Sequence, residues 1–193
     1  MFKFFNKNNF LDDLWGNFQI ILDEISNSKS SICLLDKSWI LISDHTNNDF
    51  TKNIKKNIKE ILNEGESATQ TVVDVIDDSS DMYWLILDDL NSNDLLSSLY
   101  TCINALNAND SLSNILALVI PLELLLEDTK EKIYLIYRVD TKSFYPFSPN
   151  SDDEKIRNKD NEKDLYNYLM RRKVNLENAE KKWLGIWGIP FWR

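Results

Sequence analysis

Apolar residues recur at spacings of three and four through Leu11, Leu14, Trp15, Phe18, Ile21, Leu22 and Ile25, which predicts an amphipathic helix with one wide buried face. Residues 31–43 (SICLLDKSWILIS) hold two short apolar runs around Asp36-Lys37-Ser38 and read as a β-hairpin. Phe50, Ile54, Ile58, Ile61 and Leu62 form a second helical stripe that ends at Gly65. Its lysines, Lys52, Lys55, Lys56 and Lys59, read as a solvated face. Residues 71–76 and 83–87 are β-rich runs on either side of DDSSD, a cluster of turn formers. Leu95, Leu96, Leu99, Ile103 and Leu106 mark a third helix, with Asn91 or Ser92 as its N-cap. Residues 115–120 and 133–139 are continuous apolar runs, as in strands covered on both faces. Residues 148–164 contain one aliphatic residue, Ile156, and no aromatic one, which predicts an exposed loop. A last helix follows, with Leu165, Tyr168, Leu169 and Arg172 on one face.

Helices alternate with pairs of strands rather than with single strands, so the fold class is α+β: an antiparallel sheet of about six strands with helices packed on it. The length, 193 residues, fits a single domain over 1–193, and 43% hydrophobic residues suffice for a core. Thirty-one acidic residues against 22 basic ones give a net charge of -9. That balance leaves no basic face for nucleic acid. The longest apolar stretch, residues 115–126, is interrupted by Pro121 and Glu123 and is too short to cross a bilayer as a helix. The opening MFKFFNKNNF lacks the apolar core of a secretory signal, so the expected location is cytoplasmic. Phe2, Phe4 and Phe5 beside Lys3 and Lys7 read as docked on the protein's own core, with weak peripheral membrane contact as the other reading.

No constellation for catalysis stands out. His45 is the one histidine and reads as a loop residue; with Cys33 and Cys102 it has no zinc-ligand spacing, and both cysteines read as buried free thiols. The Asp12-Asp13, Asp77-Asp78, Asp88-Asp89 and Asp152-Asp153 pairs lie at expected element ends, where Asp caps helices and makes turns. Four glycines in all leave no phosphate-binding loop and no nucleophile elbow. The reading is therefore no enzyme, no metal and no cofactor.

The unusual signal is aromatic. Phe144-Tyr145-Pro146-Phe147 follows the last apolar strand run, and residues 182–193 (KWLGIWGIPFWR) carry three of the six Trp. An exposed Trp or Phe forfeits on the order of 1.5–3 kcal/mol, so this segment either packs back on the body or docks on a partner.

These same residues carry a resemblance. Phe144, Tyr145, Pro146, Phe147 and Pro149, then Asp160, Asn161, Asp164 and Leu165, then Trp183, Trp187, Gly188 and Pro190 resemble the signature of the PspA-associated PspAB family. Lys159 stands where that family usually has Arg, and Gly185 where it tends to have Pro. The resemblance implies an accessory protein of the PspA phage-shock, membrane-stress system, with protein partners such as PspA-like proteins or an HtpX-type membrane protease at the inner membrane face. It implies no catalytic residues and leaves the oligomeric state open. Phe144, Tyr145, Pro146, Phe147, Trp183, Trp187, Gly188 and Pro190 are thus expected to form either a partner surface or a structural closure. The alternatives are a chaperone-like peptide-binding module, possibly dimeric, with a broad exposed apolar surface, and a hydrolase using two carboxylates in a deep pocket.

Overall fold

A computed structural model describes residues 7–43, 49–64, 69–78, 81–125, 129–151 and 155–190. The first apolar stripe folds as α1 (Lys7–Ile25), followed by β1 (Ile32–Leu34) and β2 (Lys37–Ser43). The second stripe is broken at Asn53 into α2 (Asp49–Lys52) and α3 (Ile54–Leu62). Then come β3 (Val72–Asp77), β4 (Met82–Asp88), α4 (Ser92–Ala108), β5 (Ile115–Leu125), β6 (Lys130–Arg138) and β7 (Ser143–Phe147). A short pair, β8 (Pro149–Ser151) and β9 (Ile156–Arg157), precedes α5 (Lys159–Met170). Asn91 caps α4 by accepting from the backbone N–H of Asn93 at 2.9 Å and Asp94 at 3.3 Å.

Seven strands form one antiparallel sheet in the order β3-β4-β2-β5-β6-β7, with β1 also paired to β5. Residues 31–43 are not a hairpin. Both β1 and β2 run antiparallel to β5, Leu34 opposite Leu122 and Trp39 opposite Val119, so they lie end to end along one neighbour. The backbone N–H of Leu35 bonds the Pro121 carbonyl at 3.1 Å and holds the irregularity between them. Two apolar runs joined by turn formers look alike whether they pair with each other or with a third strand.

The helices cover one face of this sheet. Phe18 and Ile21 of α1, Ile58 of α3, Leu95, Leu99 and Ile103 of α4, and Leu165 and Leu169 of α5 pack on Ile40, Leu85, Leu118, Ile120 and Leu135. The opposite face carries a second apolar layer: Trp39, Leu41, Trp84, Ile86, Val119, Tyr134, Ile136, Tyr145 and Phe147. Strands buried on both faces explain the continuous apolar runs of β5 and β6.

Two expectations are corrected here. Residues 148–164 are not an exposed loop: they include β8, β9 and the first half of α5, with Ser148, Asn161 and Glu162 buried. Cys102 is buried, but Cys33 is exposed, because in β1 the side chains of Ile32 and Leu34 turn to the core and that of Cys33 turns away. Both thiols are free. His45, Phe2, Phe4, Phe5, Asp152-Asp153 and Trp192 lie outside the described residues.

Candidate functional site

The second face of the sheet is where the aromatic motifs meet. β7 is an edge strand, and its FYPF sequence alternates across it: Phe144 faces the helices, while Tyr145 and Phe147 face the second layer. Pro146 lacks a backbone N–H and is tolerated because β7 has no further strand beside it. Phe144 instead joins the chain after α5. Its N–H donates to the Asn175 carbonyl at 2.9 Å, and its carbonyl accepts from the Glu177 N–H at 2.8 Å.

From there the chain crosses to the second face. Trp183 is buried; its indole N–H donates to the Glu177 carbonyl at 2.8 Å, and its ring packs on Tyr166 at 5.2 Å. Trp187 meets Phe147 edge-on at 5.1 Å and 83°, and Ile189 is buried in the same layer. Gly188 adopts φ +76, a left-handed conformation that side chains resist, and so allows the turn between Trp187 and Ile189. Gly185 is required for space: a Cβ there would stand 2.8 Å from Cε2 of Trp187. Pro190, half-buried, completes the strip.

Arg157 ties these pieces together. Its Nε donates to Glu162 Oε1 at 2.7 Å, one terminal nitrogen donates to the Trp183 carbonyl at 2.7 Å, and the other reaches the Pro146 carbonyl at 3.5 Å. The guanidinium also lies 5.1 Å over the Phe147 ring. Glu162 is 0% exposed and accepts from the Ser148 N–H at 3.0 Å, while Lys159 Nζ stands 3.3 Å from its other oxygen. Asn158 places both groups, since its side chain caps α5 at the Asn161 N–H. Sequence reasoning did not single out Arg157 or Glu162. The signal available was an Arg and a Glu five residues apart around an N-cap Asn. Lys159 contributes charge, and Arg157, two residues earlier, contributes the planar fork that a Lys cannot make.

So Tyr145 and Phe147 meet Trp183 and Trp187 in one layer, with Pro146 on the edge strand and Gly188 and Pro190 in the strip, whereas Phe144 lies on the helix side of the sheet; the arrangement is mainly a closure. Phe144, Tyr145, Pro146 and Phe147 are buried; the accessible part is Leu184, which is exposed, with half-buried Ile186 and Trp187. Burial pushes the Tyr145 hydroxyl well above the usual phenol range, against the opposing pull of Arg138 and Arg157. Elsewhere, the carboxyls of Glu24, Asp74 and Glu177 are held low, chiefly by Arg172, by Lys55 and by the Ala179 N–H respectively. Among the described residues no group of three or more His, Cys, Asp or Glu is arranged to hold a metal ion. No described helix is long and apolar enough to cross a membrane.

No curated protein and no solved structure matches the chain. A comparison with protein families matches residues 23–191 to PspAB, described as PspA associated protein B. That span takes in the last three residues of α1, the whole sheet and the aromatic strip, including every signature residue from Phe144 to Pro190. The chain therefore belongs to the PspAB family, whose description links it to PspA.

Proposed function

We propose that the protein is a non-enzymatic accessory component of a PspA-type membrane-stress response. It works by protein–protein contact at the inner face of the membrane, with a PspA-like protein or an HtpX-type protease component as partner. The observation that carries this reading is the family match over residues 23–191. The geometry is compatible with it: the shifted carboxyls are engaged by nearby donors rather than raised as general acids would be. Leu184, Ile186 and Trp187 offer a small apolar rim on the strip that covers the second layer. A chaperone-like module would call for a broad apolar surface. The exposed large apolar residues Val72, Leu90, Leu116, Ile156, Met170 and Leu184 instead stand on separate elements.

Tagged wild-type protein should retain a PspA homologue from native cells, and Trp187→Ala should lose it while keeping the wild-type circular dichroism spectrum. If wild type retains no PspA-system component, the functional reading fails. If both proteins retain it equally, the rim plays no part in binding.

A further inference from the structure

The two edges of the seven-stranded sheet are finished differently. The β7 edge is closed by Pro146, by the Arg157 fork on its carbonyl and by the Asn175–Glu177 backbone on Phe144. At the other end lies β3, and the phase of its ladder follows from one bond. The Asp78 N–H donates to the carbonyl of Met82 directly opposite, at 2.9 Å. Bonded pairs alternate in an antiparallel ladder, so Val72, Asp74 and Ile76 bond β4. The N–H and C=O groups of Val73, Val75 and Asp77 then point away from the sheet.

The Val75 N–H confirms this phase. It takes the side chain of the preceding residue, Asp74 Oδ1, at 2.9 Å rather than a strand. The same carboxylate is ion-paired with Lys55 of α3. Asp74 lies on the face away from the helices and Lys55 on the helix side, so this ion pair straps the edge. Both partners are about half exposed, which makes the strap weak and displaceable. Beside it lies a cavity of about 360 Å³, lined by Lys52, Lys55, Lys56, Asn53, Val75 and Asp77.

We propose that the β3 edge receives an extended acidic segment of another protein as an added antiparallel strand. Backbone bonds to Val73, Val75 and Asp77 hold the segment. The side chain opposite Val75 enters the cavity as a carboxylate, takes Lys55 from Asp74 and faces Lys52 and Lys56. Alternate side chains lie on the other face beside Val72, which is 64% exposed, and are apolar. A second copy of this chain is the poorer occupant. Two-fold pairing through β3 would set the Lys52, Lys55 and Lys56 walls of both copies against each other.

The probe is a fluorescein-labelled peptide of about ten residues alternating Glu and Val, followed by anisotropy and amide exchange. Binding should protect the amides of Val73, Val75 and Asp77 and weaken with salt. Lys52→Glu/Lys56→Glu, exposed positions that leave the core intact, should weaken it about tenfold or more. Asp74→Ala should tighten it by up to about fivefold, because the strap no longer competes. A Lys-Val peptide should not bind. The proposal is overturned if the Lys-Val peptide binds as well, if protection falls elsewhere, if Asp74→Ala weakens binding, if the Glu-Val peptide fails to bind, or if light scattering shows a dimer with these amides protected. None of these outcomes depends on whether PspA is the partner.

Discussion

Replacing Arg157 by Met tests whether the second face is held shut by one buried polar junction. The substitution keeps an apolar stem of similar length and removes the fork. Glu162, 0% exposed, then keeps only the Ser148 N–H and Lys159, whose side chain is 53% exposed. Removing one partner of a buried pair costs about 3–5 kcal/mol, because the remaining charge is left uncompensated. The lost bond to the Trp183 carbonyl belongs to the same event, since the strip loses its anchor when the guanidinium leaves. At about 2–3 kcal/mol per M, urea unfolding should show the midpoint falling by about 1–2 M. Trp fluorescence should shift to the red ahead of the far-ultraviolet signal, as Trp183 and Trp187 gain water first. The control is Arg157→Met/Glu162→Gln, where a neutral amide still accepts from Ser148 and no charge is stranded. It should be more stable than Arg157→Met alone, with a coupling of about 2 kcal/mol or more. A cost under about 1 kcal/mol for the single variant, or additive costs in the double one, refutes the junction.

A second, half-buried junction predicts a pH dependence. The Tyr168 hydroxyl donates to Glu24, Arg172 is ion-paired with it, and together they tie α1 to α5; Arg172, more than burial opposes, holds the Glu24 carboxyl low. A carboxyl depressed in the folded state stabilises it above the unfolded value, and that contribution fades as pH falls below about 4. The stability gap between wild type and Glu24→Gln should therefore shrink in acid urea titrations; a gap that widens there contradicts the assignment. The cysteines should separate kinetically. Maleimide should modify exposed Cys33 in the folded protein, whereas Cys102, buried and with its thiol pushed up by burial, should react only on unfolding. Equal labelling by mass spectrometry would contradict the burial pattern.

What could be read along the chain was whatever depends on neighbours in sequence. The stripes of α1, α3 and α4, the Asn91 cap and the β3–β4 and β5–β6 pairs all express local periodicity or a short connection. What failed depends on distant partners. The runs of β1 and β2 gave no sign that both pair with β5, some eighty residues on. Residues 148–164 looked solvated because they are charged, yet Glu162 is buried because Arg157 bonds it and Ser148 donates to it. Charge predicts exposure only where the charge is unpaired. The aromatic motif was legible as residues but not as a role, since a closure and a docking surface use the same side chains.

The economy of the second face explains why those side chains are aromatic. Helices cover one side of the sheet; the described cover of the other includes a strip running from Trp183 to Pro190. So short a strip can exclude water from Trp39, Tyr134 and Phe147 only if each residue buries a large area, and aromatic rings bury about 150–250 Å² each. Gly185 and Gly188 follow from the same need, one making room for the Trp187 ring and the other turning the chain after it. A family signature built this way reports first on folding. The groups available for recognition then lie where the fold leaves backbone unpaired. On this sheet the edge at β7 is closed by Pro146 of the signature together with Arg157 and the 175–177 backbone, whereas the edge at β3 is crossed by the exposed Lys55–Asp74 ion pair.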